Sequence, residues 1–224
     1  ASPSEPSASP SDSTHTAEPS PAEEPIPVEV GGRLVLGEYS GEPIEWRILD
    51  IADGKALVIS EEVLTVRMYN GDFADTNGDG YVDQREVDAA GGYEAFGCTW
   101  ETSDIRSWLN DDFYDSSFTA AERSEIVQTT ITNPDNLMYG TPGGNDTNDN
   151  VFLLSVDEAK NYFSNAADRV AYYRVAESVA WFWLRSPGYY DYFAAGVGDF
   201  GYVVDSLNGV YGISGVRPAM WVTL

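Results

Sequence analysis

WFWLRSPG, residues 181–188, and GVRPAMWV, residues 215–222, are the two stretches that decide the fold. Both are aromatic and aliphatic, and each carries one Arg and one Pro. Short apolar runs bounded by turn residues are typical of buried strands. We therefore expect these two stretches to form a buried frame around residues 189–214.

Residues 189–214, YYDYFAAGVGDFGYVVDSLNGVYGIS, differ in composition from the frame on either side. They contain no Lys, Glu, Gln, Met or Trp, although Lys and Glu are common in average proteins. One explanation is a set of short strands joined by glycine turns. Another is genetic, because randomising the two adenines of AAC codons reaches the residue types found here and excludes the five missing ones.

The frame and insert motifs together resemble a family of bacterial surface domains. W-x-W-L-R-S-P-G, A-A-x-V at 194–197 and G-V-R-P-A at 215–219 are similar to domains with a C-type-lectin-like fold. Some members of that family are variable proteins of diversity-generating retroelements. The resemblance runs from about Ile44 to the end, apart from residues 75–86. It implies one α+β, C-type-lectin-like domain over residues 28–224 that binds a ligand without catalysis.

The resemblance also implies which residues bind the ligand and which hold the scaffold. The scaffold positions would be Ala194, Ala195, Val197, Gly201, Val203 and Gly209. The varied, ligand-binding positions would be Tyr189, Tyr190, Asp191, Tyr192, Phe193, Asp199, Phe200, Tyr202, Asp205, Ser206, Asn208, Tyr211 and Ser214. We expect their aromatic side chains to share one solvent-facing surface.

Charge and composition place this domain outside the cell. The formal net charge is −25, which argues against nucleic acid and anionic membrane surfaces as partners. Residues 1–27 are rich in Ser, Pro, Ala, Glu and Thr and are predicted to be a disordered stalk. No apolar stretch is long enough to span a membrane. We expect an extracellular monomer that is anchored to the cell surface, for example as a lipoprotein. Its expected ligand is an unidentified protein or glycan.

Residues 75–86, DTNGDGYVDQRE, match the twelve-residue EF-hand loop. The predicted calcium ligands are Asp75, Asn77, Asp79, the carbonyl of Tyr81, Asp83 and Glu86, with Gly80 at the sharp turn. Carboxylates this close repel each other by roughly 4 kcal/mol per pair at an effective dielectric of about 20, and a cation removes that cost. Asn70–Phe73 is a poor entering helix and no second such loop is present, so we predict one isolated, weak, structural Ca²⁺ site.

Enzyme signals are poor. The only histidine, His15, lies in the predicted stalk, and the only cysteine, Cys98, has the character of a buried small hydrophobe. The predicted protein is therefore not an enzyme. The alternatives are an enzyme of the formylglycine-generating or glycan-active type, or a calcium-dependent lectin. A deep pocket with convergent carboxylates would favour an enzyme, and a shallow aromatic face would favour binding.

Capping and turn signals predict two or three helices between short strands. Asp53-Gly54 predicts a hairpin turn, Ser103 and Thr119 open helices, and Ser155 opens a helix running through Phe163. The helix opened by Thr119 is predicted to end near Val127, and VFLL at 151–154 is predicted to be a buried strand.

Several other residues have both a structural and a functional interpretation. Arg185 and Arg217 could bind a ligand, but their apolar surroundings favour a structural role. The tryptophans of the two framing motifs, Trp181, Trp183 and Trp221, are predicted to lie in the core. The oxygen-rich stretch 143–150 could hold a second cation, but a turn with side-chain hydrogen bonds is favoured.

Overall fold

Fourteen strands and six short helices are present in a computed structural model that describes residues 28–176 and 178–224. The predicted stalk, residues 1–27, lies outside the described residues. The strands are β1 (Arg33–Tyr39), β2 (Glu42–Ala52), β3 (Lys55–Ser60), β4 (Thr65–Met68), β5 (Ile126–Val127), β6 (Thr129–Ile131), β7 (Thr147–Asp149), β8 (Ala171–Tyr172), β9 (Val179–Ala180), β10 (Phe182–Pro187), β11 (Phe193–Val197), β12 (Val203–Gly209), β13 (Ile213–Val216) and β14 (Ala219–Thr223). The helices are α1 (Gln84–Ala90), α2 (Asp104–Trp108), α3 (Tyr114–Ser117), α4 (Ala120–Arg123), α5 (Val156–Asn161) and α6 (Ala166–Arg169).

Two five-stranded sheets form the framework, in the orders β1-β2-β3-β14-β5 and β12-β11-β10-β13-β4. The predicted C-terminal frame contributes inner strands to both sheets. β10 and β13 are neighbours in the second sheet and run parallel, while β14 lies between β3 and β5 in the first. The prediction of an α+β fold is confirmed.

The turn between β2 and β3 has the geometry that its sequence predicts. Asp53 and Gly54 both have positive φ, 51° and 71°. A two-residue hairpin turn of this type requires positive φ at both positions, which Asp tolerates and Gly adopts freely. The Gly54 carbonyl also accepts a hydrogen bond from the backbone N–H of Leu224 at 3.0 Å, so the turn holds the end of the chain.

The helices are more numerous and shorter than the two or three predicted. After Ser103, which caps α2, the chain continues through a π-helical turn, Leu109–Phe113, into α3. The helix capped by Thr119 ends at Arg123 instead of near Val127, because Ile126 and Val127 pair with β14.

Two further predicted boundaries are wrong. The helix capped by Ser155 ends at Asn161, before Phe163. Residues 151–154 are buried, as predicted, but form no strand beyond one bridge between Phe152 and Ala219. Their other backbone groups form isolated hydrogen bonds and not a strand ladder. For example, the Val151 carbonyl accepts a hydrogen bond from the side-chain amide of Asn110.

The frame tryptophans have different environments. Trp183 is completely buried and its indole N–H donates to the Arg67 carbonyl at 2.9 Å. Trp221 is half-buried on β14. Trp181 is 46% exposed, so its predicted place in the core is wrong. It lies between the outlying ribbon β8–β9 and β10, where the chain is still at the surface.

Both frame arginines are structural, as predicted. Arg185 is buried and its guanidinium bonds the Glu158 carboxylate and the carbonyls of Leu153 and Thr132. Arg217 is also buried, and bonds the carbonyl of Ser60 at 2.8 Å. In the described part of the chain, no helix has the length and apolar character needed to cross a bilayer.

The two tryptophans of WFW provide a matched test of this framework. Trp183→Ala removes a buried indole and should lower the free energy of unfolding by about 3–5 kcal/mol. Trp181→Ala removes a half-exposed indole and should cost about 1 kcal/mol or less. Urea unfolding followed by circular dichroism measures both, and equal costs would contradict the assignment of Trp183 to the core.

Candidate ligand-binding face

Tyrosines that follow β10 begin a continuous aromatic surface. The rings of Tyr189 and Tyr190 have centroids 4.3 Å apart in an edge-to-face arrangement. Tyr190 stacks on Tyr192, with centroids 5.1 Å apart and an interplanar angle of 18°. Aromatic pairs at these separations attract each other beyond the area they bury. Residues 189–192 therefore present rings that contact one another.

Tyrosines from distant parts of the chain extend this surface in both directions. Tyr139 meets Tyr189 with centroids 4.8 Å apart, and Tyr93 stacks on Tyr211 at 5.4 Å and on Tyr192 at 6.5 Å. We call the resulting set the tyrosine array, and it consists of Tyr93, Tyr139, Tyr189, Tyr190, Tyr192 and Tyr211.

The tyrosine array is open to solvent. Four of its members, Tyr93, Tyr139, Tyr189 and Tyr190, are 39–48% exposed, and the other two are half-buried. Single exposed aromatic residues are normal, but a contiguous exposed patch of this kind marks an interaction site. The array is a contiguous run of six rings joined by stacked and edge-to-face contacts.

Backbone hydrogen bonds hold the loop that carries three of these rings. The N–H of Gly188 donates to the Phe193 carbonyl at 2.7 Å, and the N–H of Phe193 donates to the Tyr190 carbonyl at 3.0 Å. Val210 donates to the Tyr192 carbonyl at 2.9 Å. A side chain at Gly188 would collide with Phe193, which explains the glycine. The loop is therefore set by the frame and does not depend on its outward side chains.

The thirteen predicted ligand-binding residues do not form one surface. Phe193 pairs with Gly209 at one end of the β11–β12 hairpin, while Val197 pairs with Val203 at the other. Phe200 and Tyr202 are exposed but lie in the turn beyond this second end, together with Asp199. The four residue steps from Phe193 to Val197 separate the two ends by roughly 13 Å.

The other predicted residues divide between the array and the scaffold. Asp191 and Asn208 are exposed, and Phe193 is half-buried beside Tyr192, with ring centroids 5.4 Å apart. Asp205 pairs with Lys160, and Ser206 accepts a hydrogen bond from the N–H of Tyr189. Ser214 is buried on β13, so it cannot contact a ligand.

Sequence reasoning missed Tyr93 and Tyr139 because they lie outside residues 189–214. Tyr93 begins a 3₁₀ helix directly after Gly91-Gly92, and Tyr139 is followed by Gly140. Aromatic residues beside glycine turns were the available signal. Only the contacts of the folded chain show that they join the array.

Partial burial, carboxylates and neighbouring rings raise the pKa values of Tyr192 and Tyr211. Partial burial raises the pKa of Tyr192, and the carboxylates of Glu94 and Asp191 raise it further. Partial burial also raises the pKa of Tyr211, with added effects from Tyr93 and Tyr192. Glu94 and Asp191 therefore give the array a negative potential at Tyr192.

Residues 75–86 form the turn that their sequence predicts. Gly78 and Gly80 have positive φ, 73° and 78°, and the Asp75 carboxylate accepts hydrogen bonds from both of their N–H groups at 2.8 Å. Glu86 reaches back into the loop, where it accepts from the N–H of Thr76 at 2.9 Å and of Asp83 at 3.0 Å. These hydrogen bonds lower the pKa of Glu86, with the Asp83 N–H acting most strongly.

The potential ligand atoms of this loop are of the type that calcium prefers. Asp75, Asn77, Asp79, Asp83 and Glu86 all present hard oxygen atoms, and so does the carbonyl of exposed Tyr81. Across residues 28–176 and 178–224, no three acidic, His or Cys side chains come close enough to form a metal cluster. The Asp and Glu oxygens bond backbone N–H groups instead, an arrangement that reduces repulsion between them.

The second oxygen-rich stretch is structural. Asp149 is completely buried and pairs with Arg106 at 2.7 Å. It also accepts from the indole N–H of Trp100 and the hydroxyl of Thr147, both at 2.8 Å. Its carboxylate is fully used, which agrees with the favoured interpretation of residues 143–150.

Together these features define an α+β domain whose C-terminal frame carries an exposed tyrosine surface. Residues 53–224 match the model of a family described as a domain of unknown function, DUF6273, and the chain belongs to this family. The match begins at the β2–β3 turn and includes the frame and the array. No curated protein and no solved structure matches the chain.

The negative potential at the array can be measured by titration. Tyr192 should ionise above the ordinary tyrosine pKa of about 10, and Glu94→Gln with Asp191→Asn should lower that value while leaving the contribution from burial. Isotope-labelled tyrosine NMR resolves the titration, with Glu38→Gln as the control. An unchanged midpoint in the double variant would show that the carboxylates do not act on this ring.

Proposed function

We propose that this protein is a non-enzymatic ligand-binding domain of C-type-lectin-like organisation, displayed at the cell exterior, with the tyrosine array as its binding face. The observation that carries the proposal is the contiguous set of stacked and edge-to-face contacts among six tyrosines from four separate chain segments. The ligand would be a protein or a glycan. We also propose that the domain is a surface-anchored monomer, for example a lipoprotein.

The chemistry of tyrosine supports this function. A tyrosine side chain has few rotatable bonds, so it offers a large contact area at a small entropy cost. Tyrosine is enriched at the centre of interfaces, where a few aromatic residues carry most of the binding energy. In the array each ring is already held by its neighbours, which further lowers the cost of binding.

The separation of frame and surface supports diversification of this face, as in variable proteins of diversity-generating retroelements. Ala194, Ala195 and Val197 are buried, whereas Tyr189 and Tyr190 are exposed. Substitutions at exposed positions usually change stability by about 0.5 kcal/mol or less. An adenine-rich near-copy of the 189–214 coding region, beside a reverse transcriptase gene, is the observation that tests this.

A calcium ion at residues 75–86 would stabilise the side of the array that Tyr93 occupies. The loop leads directly into α1, and the Tyr93 hydroxyl donates to Gln84 of that helix at 2.8 Å. Phe96, which follows in the same segment, is buried against Tyr211. We propose that bound Ca²⁺ has this structural role and does not bridge to the ligand.

Conservative substitutions in the loop test the calcium site. Asp79→Asn with Asp83→Asn keeps, on each side chain, the one oxygen that accepts hydrogen bonds from backbone N–H groups but removes two charges. Ca²⁺ affinity should therefore fall by about tenfold or more. Isothermal titration calorimetry measures affinity, and melting in a chelator should remain unchanged. Asp111→Asn with Asp112→Asn is the control, because both residues are exposed and outside the loop. Identical calcium binding by the two double variants would exclude this site.

Two sets of exposed aromatics in the same domain test the binding face. Random peptides displayed on phage, together with a glycan array, are first selected on the full chain. Tyr93→Ser, Tyr190→Ser and Tyr192→Ser together should reduce affinity for the selected ligands by about tenfold or more. Phe200→Ser with Tyr202→Ser is the control, since these residues lie at the far end of the hairpin.

Both variants should fold like the parent, because the changed side chains are exposed or half-buried. Equal loss of binding in the two variants, or selection of no ligand from either library, would contradict the array as the binding face.

A further inference from the structure

An exposed apolar loop lies beside the tyrosine array. Leu137 and Met138 are 95% and 70% exposed, and Tyr139, which follows them, is a member of the array. The loop is held in place by two hydrogen bonds: Asn136 Nδ2 donates to the Pro187 carbonyl at 2.9 Å, and Thr141 Oγ1 donates to the Tyr189 carbonyl at 3.0 Å. Its exposed apolar side chains are therefore part of a fixed surface.

A cavity of about 270 Å³ opens on the other side of this loop. The loop forms one wall, the start of α5 forms another, and Asp205 of β12 lies between them. Leu137, Met138 and Val156 give the cavity an apolar part. Its volume is at the lower limit of ligand pockets, so it suits one large side chain better than a cofactor.

The charged groups of the cavity are mainly carboxylates. Asp135, Asp157 and Asp205 face a single ammonium group, that of Lys160. Lys160 is already paired with Asp205, with its Nζ 3.5 Å from the carboxylate. Asp135 and Asp157 are exposed at the rim of the cavity. The open part of the cavity is therefore negative.

The array has the same sign of charge. Glu94 and Asp191 act on Tyr192, and the faces of tyrosine rings are themselves electron-rich. Arg185, four residues before Tyr189 in sequence, is buried and paired with Glu158. The loop thus joins the two sites, because Met138 lines the cavity and the next residue, Tyr139, contacts Tyr189 of the array.

We propose that this surface binds a basic polypeptide segment, with one Lys or Arg side chain in the cavity and further cationic side chains against the tyrosine rings. The inference rests on the proposed function and names its class of ligand. Lys and Arg have an aliphatic stem and a charged end, which match the apolar wall and the carboxylate rim. Cations are attracted to the faces of tyrosine rings, and Arg is the more frequent partner.

The same charges disfavour the other classes of ligand. Acidic glycans and nucleic acids would be repelled by Asp135, Asp157 and Asp191, and the net charge of −25 adds to this effect. A neutral glycan would leave the carboxylates without a complementary charge. Electrostatic complementarity therefore selects a basic partner and speeds its association.

A pair of synthetic peptides tests the proposal on the full chain. The probe is a Gly/Ser peptide with three evenly spaced arginines, and its partner carries citrulline at the same positions. Citrulline has almost the same shape but no charge. Fluorescence anisotropy should show that the arginine peptide binds at least about fivefold more tightly, and that added salt weakens it.

Matched variants assign the effect to this surface. Asp135→Asn with Asp157→Asn should weaken binding of the arginine peptide by about fivefold, because two favourable charges are lost without a change of shape. Glu38→Gln with Glu42→Gln is the control. It removes the same net charge from the outer hairpin of the other sheet and should leave binding unchanged.

The outcomes separate this inference from the proposed function. Equal binding of the two peptides, or equal loss in the two charge variants, would overturn the basic partner. Selected ligands that depend on the tyrosines but contain no Lys or Arg would also overturn it, and would leave the binding face intact. Absence of any tyrosine-dependent ligand would overturn both.

Discussion

The rest of the structure depends on the burial of Arg217 where the chain passes from one sheet to the other. Its guanidinium donates to the carbonyls of Ser60 at 2.8 Å and Glu61 at 3.2 Å, and lies over the Phe163 and Phe182 rings. Burial lowers its pKa to about 9. Burying a cation costs free energy unless hydrogen bonds satisfy its donors. A shift of one sheet against the other would break the hydrogen bonds of Arg217 and is therefore opposed.

Arg185 has a corresponding role on the other framing strand. It joins β10 to α5 through Glu158, and to the segments before them through the carbonyls of Leu153 and Thr132. The segment after Thr132 carries Tyr139, and β10 ends just before Tyr189. The two arginines therefore fix the positions from which the binding surface is built, although neither belongs to it.

A rigid frame behind an adaptable surface is a suitable arrangement for recognition. Hydrogen bonds from the N–H groups of Gly188, Phe193 and Val210 hold the backbone of residues 189–193. The side chains of Tyr189 and Tyr190 are exposed and are not part of the core. Stability and binding can then change separately, since buried aromatic truncations are costly and exposed substitutions are not. The cavity beside Leu137 adds a concave element next to this surface.

The sequence by itself determined the α+β class, the buried frame, the Asp53-Gly54 hairpin and the structural character of both arginines. Each of these follows from local patterns: apolar runs, turn residues, or a charge within an apolar motif. Only the tertiary structure decided that Phe200 and Tyr202 lie apart from the array, that Tyr93 and Tyr139 join it, and that residues 151–154 form no strand. The reason is that strand pairing brings together residues far apart in sequence and separates near neighbours, and a linear pattern contains no record of those pairings.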